Sequence, residues 1–231
     1  MPVFRMLKLR PPHGWNAVAW ELAIVTVGVL LALGMQEWAQ ALHWRSEVKE
    51  TREALDAELS RDLAAFNYRL DESPCIIARM SELEKWGGSF RNGKPLVLKH
   101  AIIQTPGFAI RTEVWDLVNG DIASRIPLKD RLNYSGLYSG MKSFMDAQKE
   151  EWEAWDTLME YQDSQRLGEA DVRKISLAAG GLATASVNFR SWKTTMSRQA
   201  RELGLAPDPM LLRTANPIIE KSRKEACEPY L

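Results

Sequence analysis

One apolar run near the N-terminus constrains this chain more than any other feature. The segment from Trp15 to Met35 is interrupted only by Asn16, Glu21 and Thr26. As a helix with a rise of about 1.5 Å per residue, it covers roughly 30 Å, the thickness of the hydrocarbon core of a bilayer. Tryptophans, which favour the membrane–water interface, flank the run at Trp15, Trp20, Trp38 and Trp44. The sequence therefore predicts a transmembrane helix over residues 15–38, followed by a helical domain over residues 39–231.

Two other interpretations of this segment stay open. Ala39-Gln40-Ala41 has the small-x-small form of a signal-peptide cleavage site, although the bulky Trp38 just before it argues against cleavage. The strictly uncharged part, Leu22–Met35, spans only fourteen residues, a length that also suits a buried helix of a soluble protein. The flanking tryptophans favour the membrane span.

The distribution of basic residues predicts the orientation of this helix. Residues 1–14 carry Arg5, Lys8 and Arg10 and no acid, whereas bases and acids are mixed after the run. Lys and Arg are enriched on the cytoplasmic side of membrane helices. We therefore expect residues 1–14 to be a cytoplasmic tail and the domain to lie outside the cytoplasm.

A polar and small-residue face on the predicted span suggests a partner helix. Glu21 is a carboxylate inside the span, and Gly28 lies seven residues further along nearly the same face. Gly28 and Ala32 form a small-xxx-small pair, which lets membrane helices approach closely. We predict that Glu21, Gly28 and Ala32 contact another membrane helix. The alternative is that Glu21 reaches the headgroup region and the face meets lipid.

The two cysteines, Cys75 and Cys227, are far apart in the sequence and have no histidine near them. A domain in an oxidising compartment favours a disulfide between them, and two buried free thiols are the alternative. The bond would close a loop of about 150 residues and stabilise the domain by about 2–5 kcal/mol.

Helical patterns cover most of the remaining sequence. Apolar residues recur at eleven-residue spacing after the span, which predicts one helix from about residue 15 to 71, membrane anchor and stalk together. The charged residues between these positions predict a solvated face: Glu47, Lys49, Glu50, Glu53, Asp56, Glu58 and Asp62.

Caps and breakers divide the rest of the chain. They predict helices from Ser73-Pro74 to Gly87-Gly88, from Thr112 to Gly120, from Pro127 to about Tyr161, from about Glu169 to Leu203, and from Asn216-Pro217 to near Cys227, with residues 89–111 irregular. Gly180 and Gly181 inside a helix imply close packing or a kink. The fold class is therefore all-α, a transmembrane helix that continues into a stalk and then a bundle of about four long helices.

Few residues suggest chemistry. The pair Glu153 and Asp156 shares a helix face, but histidines placed for a di-iron site are lacking, so no metal and no cofactor is expected. Trp152 and Trp155 are adjacent on one face of the same helix; such aromatic residues are usually core, and a ligand-binding aromatic slot is the alternative. Outside the anchor the chain has 27 bases and 28 acids, which argues against nucleic-acid binding.

The anchor carries the motifs Glu21-Leu22, Gly28-Val29-Leu30, Ala32-Leu33 and Glu37-Trp38. It resembles the N-terminal segment of a family of uncharacterised single-span bacterial inner-membrane proteins, although that family has Gly where Trp20 stands and Asn where Glu37 stands. Ser73-Pro74-Cys75 and residues 111–115 are similar to a group of proteobacterial proteins with the same layout. The resemblance implies anchoring in a bacterial inner membrane, with the domain outside the cytoplasm and therefore in the periplasm, and it carries over no activity.

The sequence favours a non-enzymatic accessory or assembly subunit that docks to other membrane or periplasmic proteins or associates with itself. One alternative is a periplasmic ligand-binding or sensing module that acts through a partner, because a fourteen-residue tail is too short for an output domain. Another alternative is an enzyme with an unrecognised site.

Overall fold

The computed structural model describes residues 14–118, 120–210 and 217–231, and all regular elements of these residues are helices. The predicted all-α class is confirmed. The helices are α1 (Trp15–Ser89), followed by a 3-10 turn (Phe90–Asn92), α2 (Glu113–Leu117), α3 (Gly120–Arg125), α4 (Leu128–Tyr161), α5 (Glu169–Leu203) and α6 (Pro217–Cys227). Most of the predicted N-terminal tail, and the predicted helix-start residue Asn216, lie outside the described residues.

The chain divides into two units, residues 1–50 and residues 51–231. Apart from Gly14, the described part of the first unit belongs to α1. Its most apolar eighteen-residue window has a mean hydropathy of 2.1, and none of that window is buried. Among the described residues this is the one helix that is long and apolar enough to cross a membrane. Large aliphatic side chains such as Leu22, Val25 and Leu30 are more than half exposed.

The core of the second unit forms where α1, α4 and α5 meet. Phe66 of α1 packs edge-on against Phe144 of α4, with ring centroids 5.2 Å apart. Phe144 in turn packs edge-on against Phe189 of α5 at 5.1 Å. Because all three rings are fully or almost fully buried, each helix contributes apolar area to one shared core. The three helices therefore make a bundle, as predicted, but the described residues form three long helices where the sequence pattern predicts about four.

The first helix is longer than the sequence pattern predicts. The predicted break at Ser73-Pro74 is wrong, because α1 continues through Pro74 to Ser89. Proline inside a helix costs about 3 kcal/mol, but the residues on either side are buried against the bundle, including Leu70 and Ile76. Ser73 is also not a cap: its hydroxyl accepts a hydrogen bond from Nη1 of Arg69 at 3.4 Å. Tertiary packing therefore overrides the local signal.

Three further expectations are corrected. Glu58 and Asp62 are buried, so this part of the charged face of α1 is not solvated. Gly120 begins α3 and does not end the helix before it. Gly180 and Gly181 lie inside α5, yet a Cβ atom on either would meet nothing within 4 Å, so close packing within the chain is not their reason. The predicted bounds of α5 and the predicted end of α4 are confirmed.

Two glycine-to-alanine changes should shift stability in opposite directions. Gly181→Ala places a methyl group in open space on α5 and should raise the free energy of unfolding by about 0.5–1 kcal/mol, because alanine loses less backbone entropy. Gly107→Ala should lower it by about 1–3 kcal/mol, because the new Cβ would lie 1.7 Å from Cζ2 of Trp152. Urea unfolding of the full chain in detergent measures both. Equal effects of the two variants would contradict the packing described.

Candidate functional site

A fully buried ion pair joins α1 to α4. Nε of Arg69 donates to both carboxylate oxygens of Glu151, at 3.1 and 3.0 Å, and Nη2 donates to Oε1 at 2.5 Å. Nη2 also donates to Oγ of Ser186 on α5 at 3.2 Å, and the Thr105 hydroxyl donates to Glu151 at 3.1 Å. One guanidinium and one carboxylate therefore hold three helices and the segment after α1 together.

We name the segment from Ile102 to Val114 the strap. It is irregular up to Thr112, and its last two residues are the first two of α2. Side chains of α4 and of the residue after it bind its backbone. Oε1 of Gln162 accepts a hydrogen bond from the Ile102 N–H at 2.8 Å. Gln148 accepts from the Phe108 N–H at 3.1 Å and donates to the Phe108 carbonyl at 3.4 Å. These side-chain amides bind the backbone N–H of Ile102 and the N–H and carbonyl of Phe108, groups that a neighbouring strand would bind in a β-sheet.

Side chains of α1 bind the other end of the strap. The Asp62 carboxylate accepts from the Arg111 N–H at 3.3 Å, and Glu58 accepts from the Val114 N–H at 3.4 Å. Glu58 also accepts a hydrogen bond from the Tyr138 hydroxyl of α4 at 2.8 Å. The acids that the pattern assigned to solvent therefore hold the strap and α4 against α1.

Burial perturbs the ionisation of these acids. It raises the pKa of the Asp62 carboxyl to about 7; the hydrogen bond from Arg111 acts in the opposite direction, and the negative charge of Glu58 adds to the rise. Burial also raises the pKa of Tyr138. A carboxyl with a pKa near neutrality suits acid–base chemistry, but Asp62 is fully buried and already accepts a backbone N–H. Its arrangement is that of a structural contact.

Glu72 on α1 is the least compensated of the buried acids. Among the described residues, neither carboxylate oxygen has a hydrogen-bond partner, and the nearest guanidinium atom, Nε of Arg69, is 3.9 Å away. Burial raises the pKa of Glu72 to about 8; the positive charges of Arg69 and Arg223 oppose the rise, and the negative charge of Glu151 adds to it. We expect Glu72 to hold a proton in the folded domain at neutral pH.

These two carboxyls should make the domain less stable as the pH rises. Their pKa values are about 7 and about 8 in the folded chain, against 3.8 and 4.5 as ordinary values. Below the ordinary values both states hold the protons, so neither group affects stability. Between about pH 4 and about pH 8 the unfolded chain releases its protons first, and stability is lost by up to about 1.4 kcal/mol per pH unit and group.

Urea unfolding at about pH 5 and about pH 8.5 tests this dependence. Asp62→Asn and Glu72→Gln should each lose less stability between the two pH values than the parent chain. Glu84→Gln, an exposed acid on the same helix, is the matched control and should follow the parent. If all four chains show the same pH dependence, the buried carboxyls do not titrate as described.

The C-terminal residues are fixed against α1. Cys75 and Cys227 form a disulfide, with Cα atoms 5.4 Å apart, so the predicted pair lies at bonding distance. Beyond it, the backbone N–H of Tyr230 donates to Glu82 of α1 at 2.7 Å, and its carbonyl accepts from the Lys99 N–H at 3.0 Å. The Tyr230 side chain is fully buried. The tail therefore links α1 to the stretch that precedes the strap.

A cavity of about 520 Å³ opens near the C-terminal end of α1. One wall is formed by Trp86 of α1, Phe90 of the 3-10 turn and the irregular residues after it, and the other by the connection between α4 and α5. Its lining residues are Trp86, Phe90, Pro95, Leu96, Val97, Leu98, His100, Ala101, Gln162, Asp163, Ser164 and Gln165. The volume lies within the usual range for small-molecule sites.

Trp152 and Trp155, for which core packing is expected and an aromatic slot is the alternative, lie in different environments. Trp155 is fully buried in the core cluster, so its indole presents no face to a ligand in this structure. Trp152 is 38% exposed, and its ring lies where a side chain on Gly107 would be. The two positions are three residues apart and so point about 60° apart around the helix; one indole joins the core and the other lies over Gly107 of the strap.

The predicted membrane-contact residues lie on exposed turns of α1. Glu21, Gly28 and Ala32 are all exposed, and a Cβ atom on Gly28 would meet nothing within 4 Å. The face is therefore open to lipid or to another helix. Their contact with a membrane partner stays a prediction.

The Arg69 network and the strap contacts of Glu58 and Asp62 were not predicted from the sequence. These residues of α1 and the buried Glu72 nevertheless carry a signal, because they recur at helical spacing beside the apolar stripe. A polar stripe this close to the core predicts buried contacts when the facing helix offers polar partners, as α4 does with Gln148 and Glu151.

Comparison with protein-family models, with curated proteins and with solved structures finds no match in any of the three.

Proposed function

We propose that this protein is a non-enzymatic, membrane-anchored accessory or assembly subunit whose helical domain docks to other membrane or periplasmic proteins. The observation that supports it most is the apolar window of α1, none of which is buried by the described residues. The buried charged groups of the domain support it as well. Arg69, Glu151, Asp62 and Glu58 bind helices and backbone, and none of them lines the cavity.

We further propose that the N-terminal tail is cytoplasmic and the domain periplasmic, in a bacterial inner membrane. The basic, acid-free residues 1–14 support this orientation. The disulfide supports it independently, because such bonds persist in oxidising compartments.

Cysteine labelling in intact cells tests the orientation. Both native cysteines are paired, so a single introduced thiol reports its own side of the membrane. A membrane-impermeant maleimide should label Lys94→Cys, an exposed position of the domain, and should label Lys8→Cys only after the membrane is permeabilised. The reverse pattern would place the domain in the cytoplasm.

The anchor face formed by Glu21, Gly28 and Ala32 is the proposed contact with another membrane helix or a second copy of this chain. Gly28 permits close approach, and a carboxylate in hydrocarbon favours a partner that can donate to it or share a proton. The exposure of all three residues supports this assignment.

Size and composition of the full-length assembly in mild detergent test the proposed contact. Gly28→Leu should at least halve the fraction of chain recovered in an assembly, because leucine blocks the close approach. Glu21→Gln, which keeps shape and hydrogen bonding, should have a smaller effect. Gly34→Leu is the matched control, since Gly34 lies about 120° around the helix from Gly28 and is equally open. An unchanged assembly in Gly28→Leu would show that the face meets lipid.

A second candidate function is a ligand-binding or sensing module that acts through a partner. The cavity lined by Trp86 and Phe90 favours it, because its size suits a small ligand. The docking function needs no ligand, whereas the sensing function requires one in the cavity. Ligand binding in the cavity therefore distinguishes the two candidate functions.

A further inference from the structure

We propose that the cavity at the end of α1 binds a small organic amine with an apolar body. The inference rests on the second candidate function and names the class of ligand. Its failure leaves the docking function untouched, because assembly in detergent is measured independently of the cavity.

The apolar wall would hold the body of the ligand. Phe90 follows α1 directly and packs edge-on against Trp86, with ring centroids 5.7 Å apart. Leu96 and Leu98 lie on the extended stretch that borders the same cavity, and Leu96 is 45% exposed. A ligand that covers these side chains removes apolar surface from water, which supplies the driving force for binding.

The polar wall would set the charge of the ligand. Gln162, Asp163, Ser164 and Gln165 belong to the connection between α4 and α5. Among the described residues that line the cavity, Asp163 is the one acid, and neither lysine nor arginine is present. An ammonium group is the complement of this carboxylate, and aromatic rings in the same cavity also favour a cation.

Both walls are fixed before any ligand binds. The Leu96 N–H donates to the Ser89 hydroxyl at 2.9 Å, and the Ile102 N–H donates to Gln162 at 2.8 Å, which ties the extended stretch to α1 and to the end of α4. The ring of His100 lies 4.7 Å from that of Tyr230, whose chain position depends on the disulfide nearby. A preformed cavity loses little entropy on binding, as small-molecule sites usually require.

Calorimetric titration of the full chain in lipid nanodiscs tests the proposal with three probes of one shape. These are 2-phenylethylamine, 2-phenylethanol and phenylacetate, which differ in charge. The parent chain should bind the amine about three- to tenfold more tightly than the alcohol, and the acid least. Partition of the probes into the nanodisc is subtracted with empty discs.

Two variants decide which contact is responsible. Asp163→Asn should remove the preference for the amine and leave alcohol binding within about twofold. Ala101→Phe, at an exposed lining position, should weaken both probes by filling the cavity. Asp146→Asn on the exposed face of α4 is the matched control and should bind as the parent does. Equal affinity for the three probes, no binding to the parent, or an amine preference that survives Asp163→Asn would each overturn the proposal.

Discussion

The Arg69–Glu151 ion pair is the contact on which the remaining structure of the helical unit depends. It lies where α1, α4, α5 and the strap meet, and both side chains are almost completely buried. Two charges removed from water are stabilised when further hydrogen bonds satisfy their remaining donors and acceptors. Here Ser73, Ser186 and Thr105 supply such hydrogen bonds, so the position of each element is specified by the same group of contacts. Apolar packing of Phe66, Phe144 and Phe189 stabilises the bundle but does not by itself select one register.

The same arrangement explains how a chain without β-strands in its described part accommodates a long irregular stretch. The strap runs between α1 and α4 with its backbone N–H groups bound to side chains of both helices. The disulfide and the buried Tyr230 fix the chain end beside it. The cavity results from this construction, because its walls are the stretch before the strap and the end of α4.

The helices were predictable because their signals are local. The capping glycine Gly204 and the apolar periodicity of α5 give its bounds directly, and the pair Cys75–Cys227 was predicted from the cysteine count and an expected oxidising compartment. The continuation of α1 through Pro74 and the burial of Glu58 and Asp62 were not predictable, because they depend on tertiary contacts. The residues that bind these two acids lie 49 to 80 positions away. Arg69 and Glu151 are 82 residues apart, and a single sequence does not show that they meet. The cavity likewise depends on tertiary contacts between two connections that carry no motif.

A double-mutant cycle on Arg69 and Glu151 tests the central role of this pair most directly. The free energy of unfolding in urea would be measured for Arg69→Met, Glu151→Leu and the double variant of the full chain in detergent. Each single change should cost about 3–5 kcal/mol, because it leaves an unpaired buried charge, and the double change should cost clearly less than their sum. Additive effects of the two changes would show that the ion pair does not couple the helices and would contradict the account.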